Sequence, residues 1–305
     1  MIQDIMIIDA HVHTYPSKKI GQQALGSYGY GCSGTIDNLE EVMQKANISH
    51  AVMANFLPIQ EMKKAGISKF SNHMSLEHKA AVTQEIENKM LARLERKNRW
   101  TCESARENAR LSALISVDIL QRPEEMIKEL EQKILTLGAK GIKLHPIANE
   151  CSPADKRLWP AYMKAQDLGV PVLFHAGVNE LPNYNRRYEG VMQFEDVAKS
   201  FPSLTIVLAH LGKGYYEDSV KVAAKYPNIF FDTSTCFAER NISNEDLKTK
   251  IVNIIKRIGA QRIMFGTDWP WFDPNYEIEI IKSLDLSNEE KLMIFSRNAK
   301  RIYKI

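Results

Sequence analysis

Short hydrophobic runs rich in Val, Ile and Leu recur along the chain and alternate with stretches of helical periodicity. The runs predict strands at Ile5–Ala10, Ala51–Asn55, Ser112–Val117, Gly141–His145, Val170–His175, Thr205–His210, Ile229–Thr233 and Arg262–Asp268. Most are apolar throughout rather than alternating, the pattern of parallel strands covered by helices. Between them the spacing predicts helices at Asn38–Ala46, Pro123–Leu137, Lys156–Leu168, Gln193–Ser200, Glu217–Lys225 and Asn244–Ile258. Start signals accompany several, with Asp37 and Asn38 ahead of Glu40 and Glu41, and Ser287 three residues before Glu290. Strand and helix in alternation predict a parallel α/β architecture. Eight strands fit a closed (β/α)8 TIM barrel better than an open sheet, and no GxGxxG follows the first strand.

The reading is of one domain over residues 1–305, with insertions at about 17–36 and 57–110. The first carries Gly21, Gly26, Gly29, Gly31 and Gly34, with Tyr28 and Tyr30 among them. The second is polar, and its pattern predicts a helix from Leu76 to Trp100. Both leave the C-terminal ends of strands, the face where barrel enzymes carry their active sites. They are candidates for a lid; a solubilising excursion is the alternative for the longer one.

Composition adds limits rather than chemistry. The 305 residues are 44% hydrophobic and 25% charged, as in globular proteins, and a core of that size needs no staples. A formal net charge of +3 is too small to imply a nucleic-acid or membrane partner, and the basic stretch Lys89–Arg99 is interleaved with acids. Cys32, Cys102, Cys151 and Cys236 are scattered and read as free thiols. The N-terminal segment has acids where a signal peptide carries basic residues, and no run approaches the about 20 apolar residues of a membrane span. The expected location is cytoplasmic.

The chemistry sits at the strand ends. In IIDAHVH, His11 and His13 are two apart on a strand, so both face one side, and at a barrel strand end that side is the mouth. Alone, two strand-end histidines are a weak signal. His145, His175 and His210 close three further predicted strands, in GIKLHP, VPVLFHAG and TIVLAHLG, and Asp268 closes the last in IMFGTDWP. Histidine and aspartate are uncommon in apolar runs because burying them unpaired is costly. Five strand ends sharing this feature point to a converging group. His50, His73 and His78 lie elsewhere and read as structural or surface.

These segments together resemble the amidohydrolase-related family, in its branch of metal-dependent hydrolases and decarboxylases of small carboxylated substrates. The similarity runs in order from residue 7 to the C-terminus and includes FPSLTIVLAHLG and a final helix with Asn298 and Ala299. The resemblance implies that His11, His13, His175 and Asp268 hold one divalent metal, usually zinc. It also implies that His210 serves beside the metal water as an acid/base or polarising group. Asp268 is then both ligand and proton acceptor. Two metals are not excluded, since a carboxylated fourth-strand lysine bridges the ions in two-metal relatives and this chain has Lys143. An unmodified Lys143 binding a substrate carboxylate and a structural ion pair are the other two readings, with His145 beside the ligands.

For the substrate, Arg186, Arg187 and Tyr184 follow His175 in a loop aimed at the mouth, and arginine matches carboxylates. Trp269, Trp271 and Phe272 are candidates for pocket wall or core, and Asp232 for orienting a ligand. The leading expectation is a hydrolase attacking a small carboxylated molecule with a metal-activated water. Non-oxidative decarboxylation by the same ligands is the alternative. A TatD-like phosphoesterase and a non-catalytic binding barrel are weaker, the first for want of a fourth-strand carboxylate, the second because all four ligands are intact. A homodimer is common among such barrels.

Overall fold

Eight strands lie side by side in sequence order: β1 (Ile7–Val12), β2 (Ile48–Met53), β3 (Leu111–Ile115), β4 (Gly141–Leu144), β5 (Val172–Phe174), β6 (Ile206–Leu208), β7 (Ile229–Asp232) and β8 (Ile263–Met264). The computed structural model describes residues 5–26, 32–71, 73–179, 186–238 and 244–305. Each strand pairs in parallel with the next. Beyond β8 the chain runs along β1 and closes the ring, through Ala10 N to Phe265 O (2.9 Å), Asp268 N to His11 O (2.9 Å) and His13 N to Trp269 O (2.7 Å). This is the expected TIM barrel.

Side chains alternate between two cores. Ile8, Ala10, Val52, Ala54, Leu114, Leu173, Val207, Ala209 and Met264 form one cluster, filling the barrel interior. Their strand neighbours Ala51, Met53, Ile142, Leu144, Phe174, Leu208 and Phe231 belong to the larger cluster under the helices. Continuous apolar runs follow from this: both faces of every strand are covered.

The helices are α1 (Lys18–Leu25), α2 (Ile36–Lys45), α3 (Ile59–Ile67), α4 (Leu76–Glu107), α5 (Pro123–Glu131) and α6 (Trp159–Leu168). They continue with α7 (Glu195–Ser200), α8 (Tyr216–Lys225), α9 (Asn244–Ile258), α10 (Pro274–Ser283), α11 (Asn288–Leu292) and α12 (Asn298–Tyr303). Ala299, Ile302 and Tyr303 of α12 join the interior cluster and plug the barrel floor.

Local differences from the sequence reading have local causes. Helix α2 starts at Ile36 because Thr35 caps it; Asn38 instead accepts from the Ser33 amide and hydroxyl. The run expected as one helix over Pro123–Leu137 changes to a π turn at Gln132–Thr136. Ser287 and Glu290 do form the reciprocal cap of α11. Most of the segment 57–110 is ordinary barrel architecture: α4 is the β2-to-β3 crossover, buried at Leu94, Asn98, Thr101 and Cys102. Its first half, Leu76–Arg93, has no buried residue. Gly21, Gly26 and Gly34 of the first loop are among the described residues; Tyr28, Tyr30, Gly29 and Gly31 lie outside them. All four cysteines are free thiols. Among the described residues, no helix is long and apolar enough to cross a membrane.

Candidate active site

The strands stop short of the histidines expected to close them. His145 follows β4, His175 follows β5, and His210 sits in a 3-10 turn after β6 with φ 64°, next to Leu211 at φ 49°. Asp268 stands four residues past β8 with φ 61°. Left-handed backbone at two non-glycine site residues is costly and marks positions held by their surroundings. On β1, the step from Asp9 to Val12 spans only Ala51 to Met53 on β2, so a bulge adds one residue. That bulge changes the phase of the strand: Ile8 and Ala10 fill the interior, yet His11 and His13 both reach the mouth.

Three of the predicted ligands converge. His11 Nε2 lies 3.2 Å from His13 Nε2, and Asp268 Oδ1 lies 3.5 and 3.1 Å from those two nitrogens. The hydrogen bonds around them fix where the lone pairs point. Asp232 Oδ2 can only accept, so His11 Nδ1–H donates to it at 2.9 Å and leaves an unprotonated Nε2, which has Lys143 Nζ 2.9 Å away. His13 Nε2 either donates to Asp268 Oδ1 or, with its proton on Nδ1, completes a set of three lone-pair atoms that a cation between them would satisfy. A tetrahedral ion with bonds of about 2.0–2.2 Å spaces its ligands about 3.4 Å apart, which matches these separations. The group His11, His13 and Asp268 therefore suits a divalent metal in chemistry and in size.

His175 stands beside that group rather than inside it. The Ser234 carbonyl, 3.0 Å away, fixes the His210 proton on Nδ1, so His210 Nε2 accepts from His175 Nδ1–H at 3.0 Å. The second nitrogen of His175, Nε2, is buried without a partner. By this chain of tautomers it is a free lone pair, the form in which histidine binds metals. His11, His210 and Asp232 also approach one another. Asp232 is already committed there, however, accepting from His11 and from the amides of His210 and Ser234 (both 3.0 Å).

Burial dominates the electrostatics. It pushes His13 down to about 3 and His210 to about 4 against the pull of nearby carboxylates, so both are neutral near pH 7. For Asp268, burial opposes the charge, but the His13 hydrogen bond and the neighbouring His11 and His210 hold it well below the usual carboxylate range. Lys143, buried among these rings, donates to His11 Nε2 at 2.9 Å. Burial lowers its amine to about 8, resisted by Asp268 and Asp232. It makes no ion pair with any described carboxylate.

The mouth is walled by aromatic rings. Trp271 and Phe56 stand edge-on to His13 at 5.1 and 5.7 Å, and Phe56 also packs against His145 at 4.9 Å. Trp269 is core instead. Arg186 and Arg187 form an exposed turn with Tyr188 and are not brought to the buried group; Tyr184 lies outside the described residues. Sequence reasoning missed Asp9, which accepts from the amides of His11 and Thr267 (both 3.1 Å) and from the Thr267 hydroxyl (2.5 Å). It thereby clamps the first ligand strand to the last. An aspartate inside the apolar run IIDA was the available signal. Ser234, bonded to Asp232 and near both His11 and His210, had none.

The model of the amidohydrolase family matches residues 8–305. A γ-resorcylate decarboxylase from Polaromonas sp. is 23% identical over 61% of this chain and 68% of its own. In fold, a 2,6-dihydroxybenzoate decarboxylase solved with 2,6-dihydroxybenzoate superimposes with TM-score 0.71 at 17% identity, over the full length of both chains. A dihydroxybenzoic acid decarboxylase from Polaromonas sp., solved with manganese and 2-nitroresorcinol, gives TM-score 0.71 at 17% identity over 99% of this chain and 97% of its own. These similarities do not support the hydrolytic expectation and favour its alternative. They do not single out zinc.

Proposed function

Because the chain belongs to the amidohydrolase family, we propose that it is a metal-dependent, non-oxidative decarboxylase of a small hydroxylated aromatic acid. The observation that carries the reading is Lys143: a buried cation, without a carboxylate of its own, beside a metal-sized donor group inside an aromatic mouth. The names of the relatives point the same way.

His11, His13 and Asp268 would hold one divalent ion, and His175, whose Nε2 is buried without a partner, is the candidate for a fourth donor. Bound there, the ion supplies positive charge against the electron-rich ring and its oxygens. Lys143 attracts the substrate carboxylate, and Phe56 and Trp271 strip water from the ring. The bond between ring and carboxyl carbon breaks, CO2 leaves, and one proton takes its place on the ring carbon. Asp268 is the carrier of that proton: its side chain is 18% exposed, against 0% for His11 and 6% for His13, so it is the most open of the three to solvent. Its Oδ1 faces the two imidazoles, which leaves Oδ2 for the proton. His210, with Nδ1–H given to Ser234 and Nε2 to His175, orients His175 and does not carry the proton.

The test is product analysis with manganese- and zinc-loaded protein on a panel of hydroxybenzoates and lactones. The expected outcome is CO2 and the matching phenol, abolished by chelation and restored by metal. Lactone opening without CO2 release from any acid would overturn the reading. Asp268→Asn should lower kcat by about a thousandfold.

A further inference from the structure

His145 has one ring nitrogen committed to the backbone and the other without a described partner. The Ala148 amide donates to its Nδ1 at 3.2 Å, within a turn that also returns the Asn149 amide to the His145 carbonyl at 3.0 Å. A nitrogen that accepts an N–H cannot carry a proton, so His145 is neutral and its hydrogen is on Nε2. The ring cannot swing away, because it stacks on His175 at 4.0 Å and 5° between planes, with Phe56 packed on it. No described residue accepts from Nε2–H. His145 is therefore unsuited to hold a second metal through Nδ1, and its remaining edge is a fixed hydrogen-bond donor.

We propose that His145 is a specificity-determining residue whose Nε2–H donates to a hydroxyl or phenolate oxygen on the substrate ring. It lies two positions on from Lys143, about 6.6 Å at strand spacing. With the substrate carboxylate at Lys143, His145 meets the ring oxygen next to it. The ligand class is an aromatic acid with an oxygen beside its carboxyl group. This assignment rests on the decarboxylase reading for the site, but its test does not need turnover.

The test compares binding of benzoate and 2-hydroxybenzoate to the zinc-loaded full chain by calorimetry, with metal content measured alongside. Wild type should prefer the hydroxylated acid by about tenfold. His145→Phe, which keeps the stacking and removes the donor, should retain its metal and reduce that preference to about twofold or less. His145→Gln, which restores an N–H near the Nε2 position, should recover most of it. An unchanged preference in His145→Phe overturns the proposal, and so does metal loss in that variant with retention in His145→Gln. Should wild type show the preference, the Phe variant lose it, and no acid release CO2, the donor role stands and the decarboxylase reading falls. CO2 release with discrimination intact in His145→Phe has the opposite meaning.

Discussion

Asp232 accepts four hydrogen bonds, from His11 Nδ1, from the His210 and Ser234 amides and from the Ser234 hydroxyl. It therefore sets the tautomer of a proposed ligand while touching the mouth only through it. Asp232→Asn can present an amide N–H to His11 Nδ1 and upset that choice. Metal affinity should fall by about tenfold to a hundredfold in a competition titration, with the fold intact; unchanged affinity would show that the tautomer does not matter. Glu277 offers a different test, since both its oxygens are buried without partners. Burial, and then Asp9 and Asp268, raise it to about 8 despite Lys213. A folded value above the unfolded one means that the stability it contributes is complete below about pH 4.5 and is lost as pH climbs through 8. Glu277→Gln should accordingly melt about 5 °C higher than wild type at pH 8 and together with it at pH 4. What the sequence made legible at this scale was residue type at strand ends. Which nitrogen carries a hydrogen was not, because it depends on partners such as Asp232, Ser234 and Ala148, whose orientations no spacing encodes.

Helix α4 contains two different surfaces. Its second half is fastened to the barrel, with Asn98 donating to the Ser116 carbonyl at 2.8 Å and accepting from its amide at 2.9 Å. Lys133, wholly buried, meets Glu95 of α4 at 3.0 Å and Glu129 of α5 at 3.6 Å. Removing Lys133 strands the Glu129 carboxylate, whose side chain is 10% exposed, while Glu95, at 36%, stays open to solvent. Lys133→Ala should cost about 3 kcal/mol in chemical denaturation, whereas Lys89→Ala, in the exposed Lys89–Glu85 pair, should leave the midpoint where it is. Equal effects would mean that the whole helix is packed alike. The helix itself was plain from its periodicity, but its role as the β2-to-β3 crossover was hidden by a polar composition, since only a short stretch faces the sheet. Strand boundaries shifted for a related reason: Gly266 leaves room for His11, a Cβ there coming within 3.0 Å of the His11 Cβ, and the backbone turns at Asp268. A hydrophobic run does not reveal where its ladder ends.

Over the whole molecule, alternation of apolar runs and amphipathic segments was enough to foresee eight parallel strands, because each strand is covered on both faces. The closure was not foreseeable in detail. It depends on three backbone hydrogen bonds and the Asp9–Thr267 clamp, all between residues far apart in the chain. The proposed donors lie on both sides of that seam, so a bound ion would act as a rivet across it. Chelation should lower Tm by several degrees, and adding back metal should raise it with metal concentration. A Tm indifferent to metal would place the ion elsewhere.

That seam also fixes an order of events in the cell. Synthesis runs from the N-terminal side, so His11 and His13 are made well before Asp268. During synthesis the early imidazoles wait without their carboxylate, and any product cut short before the final strand is a chain with half a site. Only a chain that has reached Asp268 can bring the three donors together.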